Sequence, residues 1–528
     1  MNLLRPRPLD LGPLFETLAE RGSPTVLHAN RPLEVAVEAG ERWTVPELAR
    51  MVAELSAVLV AAKVRYGDRV AVHKRNHWDY VLLAAAAARI GALPVLLSDH
   101  LAPDALAALL ARVQPKVLLS DRYTLALGGV TKGLRTVCLD GPAPGAIDAA
   151  TLRGARAVPP VHPRGDDEPL VINHTSGTTG LPKLVVHTTA SLVRKLTAFE
   201  AHRWPAVSIR SDDTAAAQFS FAHGRAVSWT ISALWARPRA VLLLPDEDPG
   251  LLRAHPPTVV EALPATYARW QALAAGPQSP FADARLFVST FDAVHPPTVR
   301  AFLAASARRR PVWMQGWGQT ETGPLTFRFL TRRALDQHAE RHPTTRDLGR
   351  PVPFRTRLRV VDPATGAPVR RGERGVLLTR TPALCVGYLG EQQRWEGKLT
   401  DGWFNTGDVG VRTKGGRVLL LDREVDTVPG LSCVELEDVL HDRLPEVQEA
   451  VLLDGGPGGL PLPVLVTGDG EMDPARWSAA VADLPPLAAP LLLGWDDLPR
   501  TGTGKVRRHE LRARHLSGAV ATGTGRWT

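Results

Sequence analysis

Along the first half of the chain, apolar residues fall into two alternating rhythms. Pro46 to Lys63 carries them at helical spacing, Arg69 to Val72 is strand-like, Tyr80 to Ile90 is helical, Leu93 to Leu97 is continuously apolar, Pro103 to Val113 is helical, and Lys116 to Leu119 is strand-like again. Such alternation predicts parallel sheets covered by helices, because parallel neighbours must be joined by a crossover. The rhythm resumes with Val241 to Leu244, Arg285 to Ser289 and Pro311 to Met314 as strands. From about Arg355 to Val361 the texture changes to short β segments separated by Pro363-Ala364-Thr365-Gly366 and Lys414-Gly415-Gly416-Arg417. This predicts a smaller barrel-like piece ending near Leu421. The remainder reads as a compact α+β unit with a helix at Val434 to Arg443 and a strand at Ala450 to Leu453.

The fold class is therefore α/β: a large region of helix-covered, mostly parallel sheets with the barrel-like piece, residues 1–421, then a small α+β domain, residues 422–517. Residues 518–528, rich in Gly, Ala and Thr, read as a flexible tail. A length of 528 residues exceeds what one core organises. The most membrane-like stretch, Val81 to Leu97, is interrupted by Arg89 and split by Gly91 and Pro94, so it reads as a buried helix and strand with no membrane span. The segment MNLLRPRPLDLG lacks the apolar core of a signal peptide.

Composition, 44% apolar and 22% charged, is that of an ordinary globular protein. Cys138, Cys385 and Cys433 lie far apart without metal-ligand spacing, which argues against a disulfide framework or zinc site and fits a reducing cytoplasm. The net charge of +9 is spread as scattered arginines, with short clusters such as Arg308-Arg309-Arg310 and no basic strip interleaved with aromatics. Nucleic acid is not indicated; small anions would benefit from the positive field.

The most telling segment is Thr175-Ser176-Gly177-Thr178-Thr179-Gly180-Leu181-Pro182-Lys183. Glycines let backbone N–H groups approach phosphate oxygens, the hydroxyls of Ser176, Thr178 and Thr179 donate, and Lys183 supplies charge. This is the chemistry of a polyphosphate loop. It is not the Walker type, because the lysine follows Leu181-Pro182 and Leu184 stands where a Ser or Thr would hold magnesium. Further on come Gly316-Trp317-Gly318-Gln319-Thr320-Glu321 after the apolar run Pro311 to Met314, Thr406-Gly407-Asp408 in an expected turn, Asp422-Arg423, and Arg500-Thr501-Gly502-Thr503-Gly504-Lys505.

These strings, in this order, resemble the adenylate-forming superfamily: acyl-CoA synthetases, peptide-synthetase adenylation domains and luciferases. In texture the chain is most similar to aromatic acid (benzoate-like) CoA ligases. The resemblance implies a large N-terminal region and a mobile C-terminal domain joined near Asp422-Arg423. It also implies attack of a carboxylate on the α-phosphorus of ATP, giving an acyl-adenylate and pyrophosphate, then displacement of AMP by a second nucleophile, usually the thiol of coenzyme A. By the same resemblance the loop from Thr175 to Lys183 holds the triphosphate with Mg2+, Glu321 is the metal ligand and Thr320 donates to phosphate. Trp317, with Gly316, flanks the adenine opposite Phe291-Asp292-Ala293, where Asp292 marks the family's small-residue turn. Asp408 accepts the ribose hydroxyls, Arg423 binds ribose or phosphate, and Lys505 is the catalytic lysine that bridges substrate carboxylate and α-phosphate after domain closure.

Gln218 to Arg225, QFSFAHGR, resembles the matching segment of benzoate-type ligases. Phe221 and His223 then line a compact pocket for a small carboxylic acid; a core phenylalanine and a helix-capping histidine are the competing reading. One departure concerns the acceptor. After Arg423 the chain has Val425 where the family has its first Asp, Pro429 where it has a lysine, and a link to Glu435-Leu436-Glu437 four residues shorter than the family pattern. The alternative acceptors are a carrier-protein thiol, an amine, or nitrite as in diazotase-like members, and the assembly expected is a monomer or homodimer. A non-catalytic nucleotide-binding protein is disfavoured by Lys183, Glu321, Asp408 and Lys505 standing together.

Overall fold

Helix starts are written in local chemistry. Helix Val45–Ala61 begins with a capping box, Thr44 and Glu47 bonding one another's backbone N–H groups, and with Pro46 in its first turn. Helix Pro103–Val113 also opens on proline, and Gln114 ends it in the left-handed conformation (φ 46°). The computed structural model describes residues 9–128, 133–175, 181–335, 345–423, 431–456 and 459–516. Ser176, Gly177, Thr178, Thr179 and Gly180 of the phosphate loop, residues 424–430 and the expected tail 518–528 lie outside the described residues.

The chain forms two compact units: Met1–Glu261 with Thr320–Gly323 and Pro382–Gln392, and Ala262–Gln319 with Pro324–Thr381 and Gln393–Thr528. The first contains an eight-stranded sheet in the order Gly387–Tyr388, Leu184–Thr188, Pro169–His174, Leu93–Ser98, Arg69–Lys74, Val117–Ser120, Thr136–Cys138, Ile147–Asp148. Its strands from Pro169–His174 to Ile147–Asp148 run parallel, as the helix-strand alternation predicted. Leu184–Thr188 and Gly387–Tyr388 add on antiparallel. Leu93–Ser98 lies inside this sheet, and helix Asp79–Arg89 is buried along its whole length. The Val81 to Leu97 stretch is thus core, and among the described residues no helix is long and apolar enough to cross a membrane. A second set of strands pairs Arg42–Thr44, Val26–Ala29, Ala240–Leu243 and Thr214–Gln218.

In the second unit, Leu286–Ser289 runs parallel to Val312–Gln319. The turn-rich stretch forms the antiparallel series Gly323–Leu330, Asp347–Pro351, Val418–Arg423, Trp403–Arg412, Arg374–Arg380, Arg357–Val361. The described strands do not close, so the expected barrel-like piece is an open sheet with Arg357–Val361 at its end. The C-terminal segment has three strands, Val447–Leu453, Leu462–Thr467 and Leu491–Leu493, and helices Cys433–Arg443, Pro474–Val481 and Arg508–His515.

Two motif placements differ from the sequence reading. Gly316 to Gln319 continue strand Val312–Gln319 and do not follow it. Thr406-Gly407-Asp408 lies within strand Trp403–Arg412, where a turn was expected. Val376 pairs with Val409 and Leu378 with Asn405, so three residues bulge opposite Leu377 alone. Gly407 takes φ 70° at the bulge, a conformation a side chain would oppose. Thr406 fastens it, its hydroxyl donating to Leu377 O at 2.8 Å and accepting the Asp408 N–H at 3.1 Å.

Candidate active site

In the first unit, the ends of the phosphate loop are strand ends. Pro169–His174 and Leu184–Thr188 are antiparallel neighbours, Thr175 N–H donates to Lys183 O at 3.0 Å, and Lys183 N–H donates to the Thr175 hydroxyl at 3.1 Å. Lys183 therefore stands across from Thr175, immediately before strand Leu184–Thr188. Lys183 Nζ lies 2.9 Å from Glu321 Oε1 and 3.2 Å from the Tyr388 hydroxyl, which itself donates to Glu321 Oε1 at 2.7 Å. Burial alone would push the Glu321 carboxyl upward; the charge of Lys183 and the hydrogen bonds from Lys183 and Tyr388 outweigh it and hold the group below the usual carboxylate range. Glu321 is thus a buried but ionised acid.

Thr320, its neighbour, is gripped by two histidines. His187 Nε2 donates to Thr320 O at 2.8 Å, while its Nδ1 pairs with Ser191 Oγ at 3.1 Å. Burial lowers its basicity, so this imidazole is neutral. His223 Nδ1 accepts the Arg225 N–H at 3.1 Å and so caps helix Gly224–Trp235. That leaves the proton on Nε2, 3.1 Å from Thr320 Oγ1. With the Thr320 oxygen accepting from His223, its own proton points elsewhere. Of the two readings of QFSFAHGR, the histidine is a helix cap that also reaches Thr320. Phe221 is fully buried, 5.5 Å from Phe219 between ring centroids. Arg225 is clamped by Glu261 at 2.7 Å and Glu200 at 2.6 Å, and this charge network anchors the helix that His223 caps.

In the second unit, Asp408 is the hub. Trp317 Nε1 and Gln319 Nε2 both donate to its Oδ2 at 3.1 Å, and Arg423 Nε lies 3.5 Å from Oδ1. Gln319 also donates to Thr406 O at 2.6 Å. Arg423 arrives there because it is the strand partner of Asp408. Trp317 also packs against Leu348, Leu358, Val360, Leu377 and Val418, so part of its surface belongs to the core. A Cβ on Gly316 would stand 3.2 Å from Thr290 Cγ2 and 3.3 Å from Phe327, which explains a glycine there. Beside it, Phe291 adopts φ 80°, a conformation favouring glycine, and Asp292 accepts the Ala293 N–H at 3.0 Å.

Lys505 closes a tight hairpin. Thr501 N–H donates to Lys505 O at 2.8 Å, Lys505 N–H donates to the Thr501 hydroxyl at 3.2 Å, and Gly504 takes φ 78°. The base of the hairpin is fixed by Arg500, which donates to Gly504 O at 2.9 Å and pairs with Glu449 at 2.6 Å.

Residues 26–389 match the family described as AMP-binding enzyme. The chain belongs to this family. It is 40% identical to 3-amino-2-hydroxy-4-methoxybenzoate diazotase of Streptomyces cremeus, over 98% of this chain and 97% of that protein. It is 30% identical to feruloyl-CoA synthase of an Amycolatopsis species, over 90% of this chain and 94% of the relative. Its fold is similar to that of a benzoate CoA ligase from Burkholderia xenovorans LB400, with a TM-score of 0.78, 21% identity, and 95% and 99% of the two chains covered. This AMP-binding enzyme is an ATP-using, adenylate-forming protein with the mixed α/β fold of its family.

The donor set of Thr320 and Glu321 would suit a hard divalent cation. Thr320 and Glu321 offer adjacent hard oxygens, and Glu321 is ionised, as a magnesium ligand must be. Gln319, Tyr388 and His187 are the members that sequence reasoning missed. Gln319 was within reach: on a strand, residue 319 shares a face with 317. Tyr388 and His187 had no local signal, since their partners lie 67 and 133 positions away.

Proposed function

We propose that this enzyme uses ATP to activate nitrite and passes the activated nitrogen to the amine of an aminobenzoate-type acid, as a diazotase. The carrying observation is 40% identity across nearly the whole of both chains with the Streptomyces cremeus diazotase. A nitrite oxygen attacks the α-phosphorus, the bond to the β-phosphate oxygen breaks, and pyrophosphate leaves. The aryl amine then attacks the nitrogen of the nitrite–AMP anhydride, the N–O bond breaks, AMP departs and the amine loses a proton. The N-nitroso amine isomerises to a diazohydroxide, which takes up a proton and loses water to give the diazonium ion.

On this reading the loop Thr175 to Gly180 and Lys183 hold the β- and γ-phosphates, and Thr320 donates to phosphate. Magnesium held by Glu321 would neutralise the leaving pyrophosphate. Gly316, Trp317 and Asp292 border the adenine, Asp408 takes the ribose hydroxyls, and Arg423 binds ribose or phosphate. Phe221 and His223 border the aromatic acid. Lys505 stabilises charge at the bridging oxygens, carried by a small domain, 422–517, that moves against 1–421. Three free, buried thiols suit a reducing cytoplasm, where the enzyme would act as a monomer or homodimer.

An acid:CoA ligase is the second reading, favoured by the 30% identity with feruloyl-CoA synthase. There a substrate carboxylate is adenylated and the thiol of coenzyme A, or of a carrier protein, displaces AMP. The test offers ATP, magnesium and a panel of benzoates and aminobenzoates, with nitrite or with coenzyme A, and follows AMP release. Nitrite-dependent AMP with a naphthol-trapped azo dye supports the diazotase. Thioester without nitrite dependence replaces it with the ligase, and no AMP in any arm overturns both.

A further inference from the structure

Glu321 carries two hydrogen-bond donors on one oxygen. Lys183 and the Tyr388 hydroxyl both donate to Oε1, at 2.9 and 2.7 Å. Lys183 also donates to the Tyr388 oxygen at 3.2 Å and stands 4.9 Å from the centre of its ring. When Lys183 turns its charge to the phosphates, the ammonium no longer fully serves Glu321. The Tyr388 hydroxyl, at 2.7 Å from the same oxygen of a carboxylate that is only 3% exposed, then still fixes its orientation.

The geometry points to Tyr388 as the positioning residue of the phosphate and metal site: its hydroxyl keeps the Glu321 carboxylate in its orientation while Lys183 is engaged with the triphosphate. The backbone builds this in. Strand Gly387–Tyr388 pairs antiparallel with Leu184–Thr188, Tyr388 opposite Val185 and Gly387 opposite Val186, which brings Tyr388 beside Lys183, immediately before the latter strand. Cys385 N–H holds Glu321 O at 2.7 Å from the same segment. Lys183 thus has a partner to leave and a partner that remains when it leaves. The role rests on the reading of Glu321 as metal ligand, and it assigns Tyr388 a part that neither motif nor composition marks.

Tyr388→Phe removes one hydroxyl and keeps the ring beneath Lys183. Calorimetry with ATP and Mn2+ should show about tenfold weaker binding than the native enzyme, the loss of a hydrogen bond to a charged group. The magnesium concentration needed for half-maximal pyrophosphate exchange should rise more than the maximal rate falls, because the metal-bearing carboxylate is less firmly held. A purely structural tyrosine would lower the melting temperature and leave both readings unmoved. Binding and magnesium dependence equal to native in Tyr388→Phe would overturn the inference alone. Failure of the native enzyme to bind ATP with Mn2+ would overturn the adenylation reading beneath it.

Discussion

Asp408→Asn is the sharpest test of the nucleoside half of the site. The described side-chain partners of the Asp408 carboxylate are donors: Trp317 and Gln319 at 3.1 Å on Oδ2, and Arg423 at 3.5 Å on Oδ1. An asparagine serves Trp317 and Gln319 only by placing its carbonyl oxygen on them, which turns its NH2 toward Arg423. The side offered to the ribose hydroxyls then changes from acceptor to donor. A hydrogen bond to a charged group contributes about 1.5–3 kcal/mol, so ATP should bind about 10- to 150-fold more weakly. Calorimetry gives the dissociation constant, and a melting curve confirms that the variant remains folded. Native enzyme should discriminate against 2′-deoxy-ATP, and the variant should have lost most of that preference. An Asp408→Asn protein that binds ATP within about twofold of native would refute the assignment.

Three other perturbations separate chemistry from folding. Lys505→Ala should abolish most pyrophosphate exchange while calorimetric ATP affinity stays near native; equal losses in both would move Lys505 from catalysis to binding. Arg225→Met leaves Glu200 and Glu261 buried without their shared cation, and urea titration should show a loss of about 3–5 kcal/mol in the unit that contains them. Asp422, which accepts the Cys433 N–H at 3.1 Å, is pushed by burial, with Glu437 adding to it, up to about 7 from 3.8. The folded state therefore holds a proton that the unfolded state has released, and stability falls as pH rises from about 4 to about 7. Asp422→Asn should be more stable at pH 8, by at most about 4 kcal/mol, and equal near pH 4; no difference at pH 8 would contradict the burial argument.

Periodicity alone was enough to place helix Pro103–Val113, strand Leu93–Ser98 and the parallel alternation of the first unit. It failed at Gly316 to Gln319 and at Thr406 to Asp408. Both are glycine-rich strings that read locally as turns and become strand only because a neighbouring strand supplies the ladder. The strings that carry the candidate chemistry were legible as well, Thr175 to Lys183, Gly316 to Glu321, Thr406 to Asp408 and Arg500 to Lys505, because each is a run of neighbours along the chain.

The order of residues along the chain determined which elements form and which functional groups are available, because helix caps, turns and hydrophobic spacing act over a few neighbours. Tertiary structure decided who meets whom. Trp317 donates to Asp408 across 91 positions and Tyr388 to Glu321 across 67. Such pairings follow from sheet order, which the packing of whole units sets, and from desolvation, which makes a buried carboxylate accept whatever donors the fold brings to it.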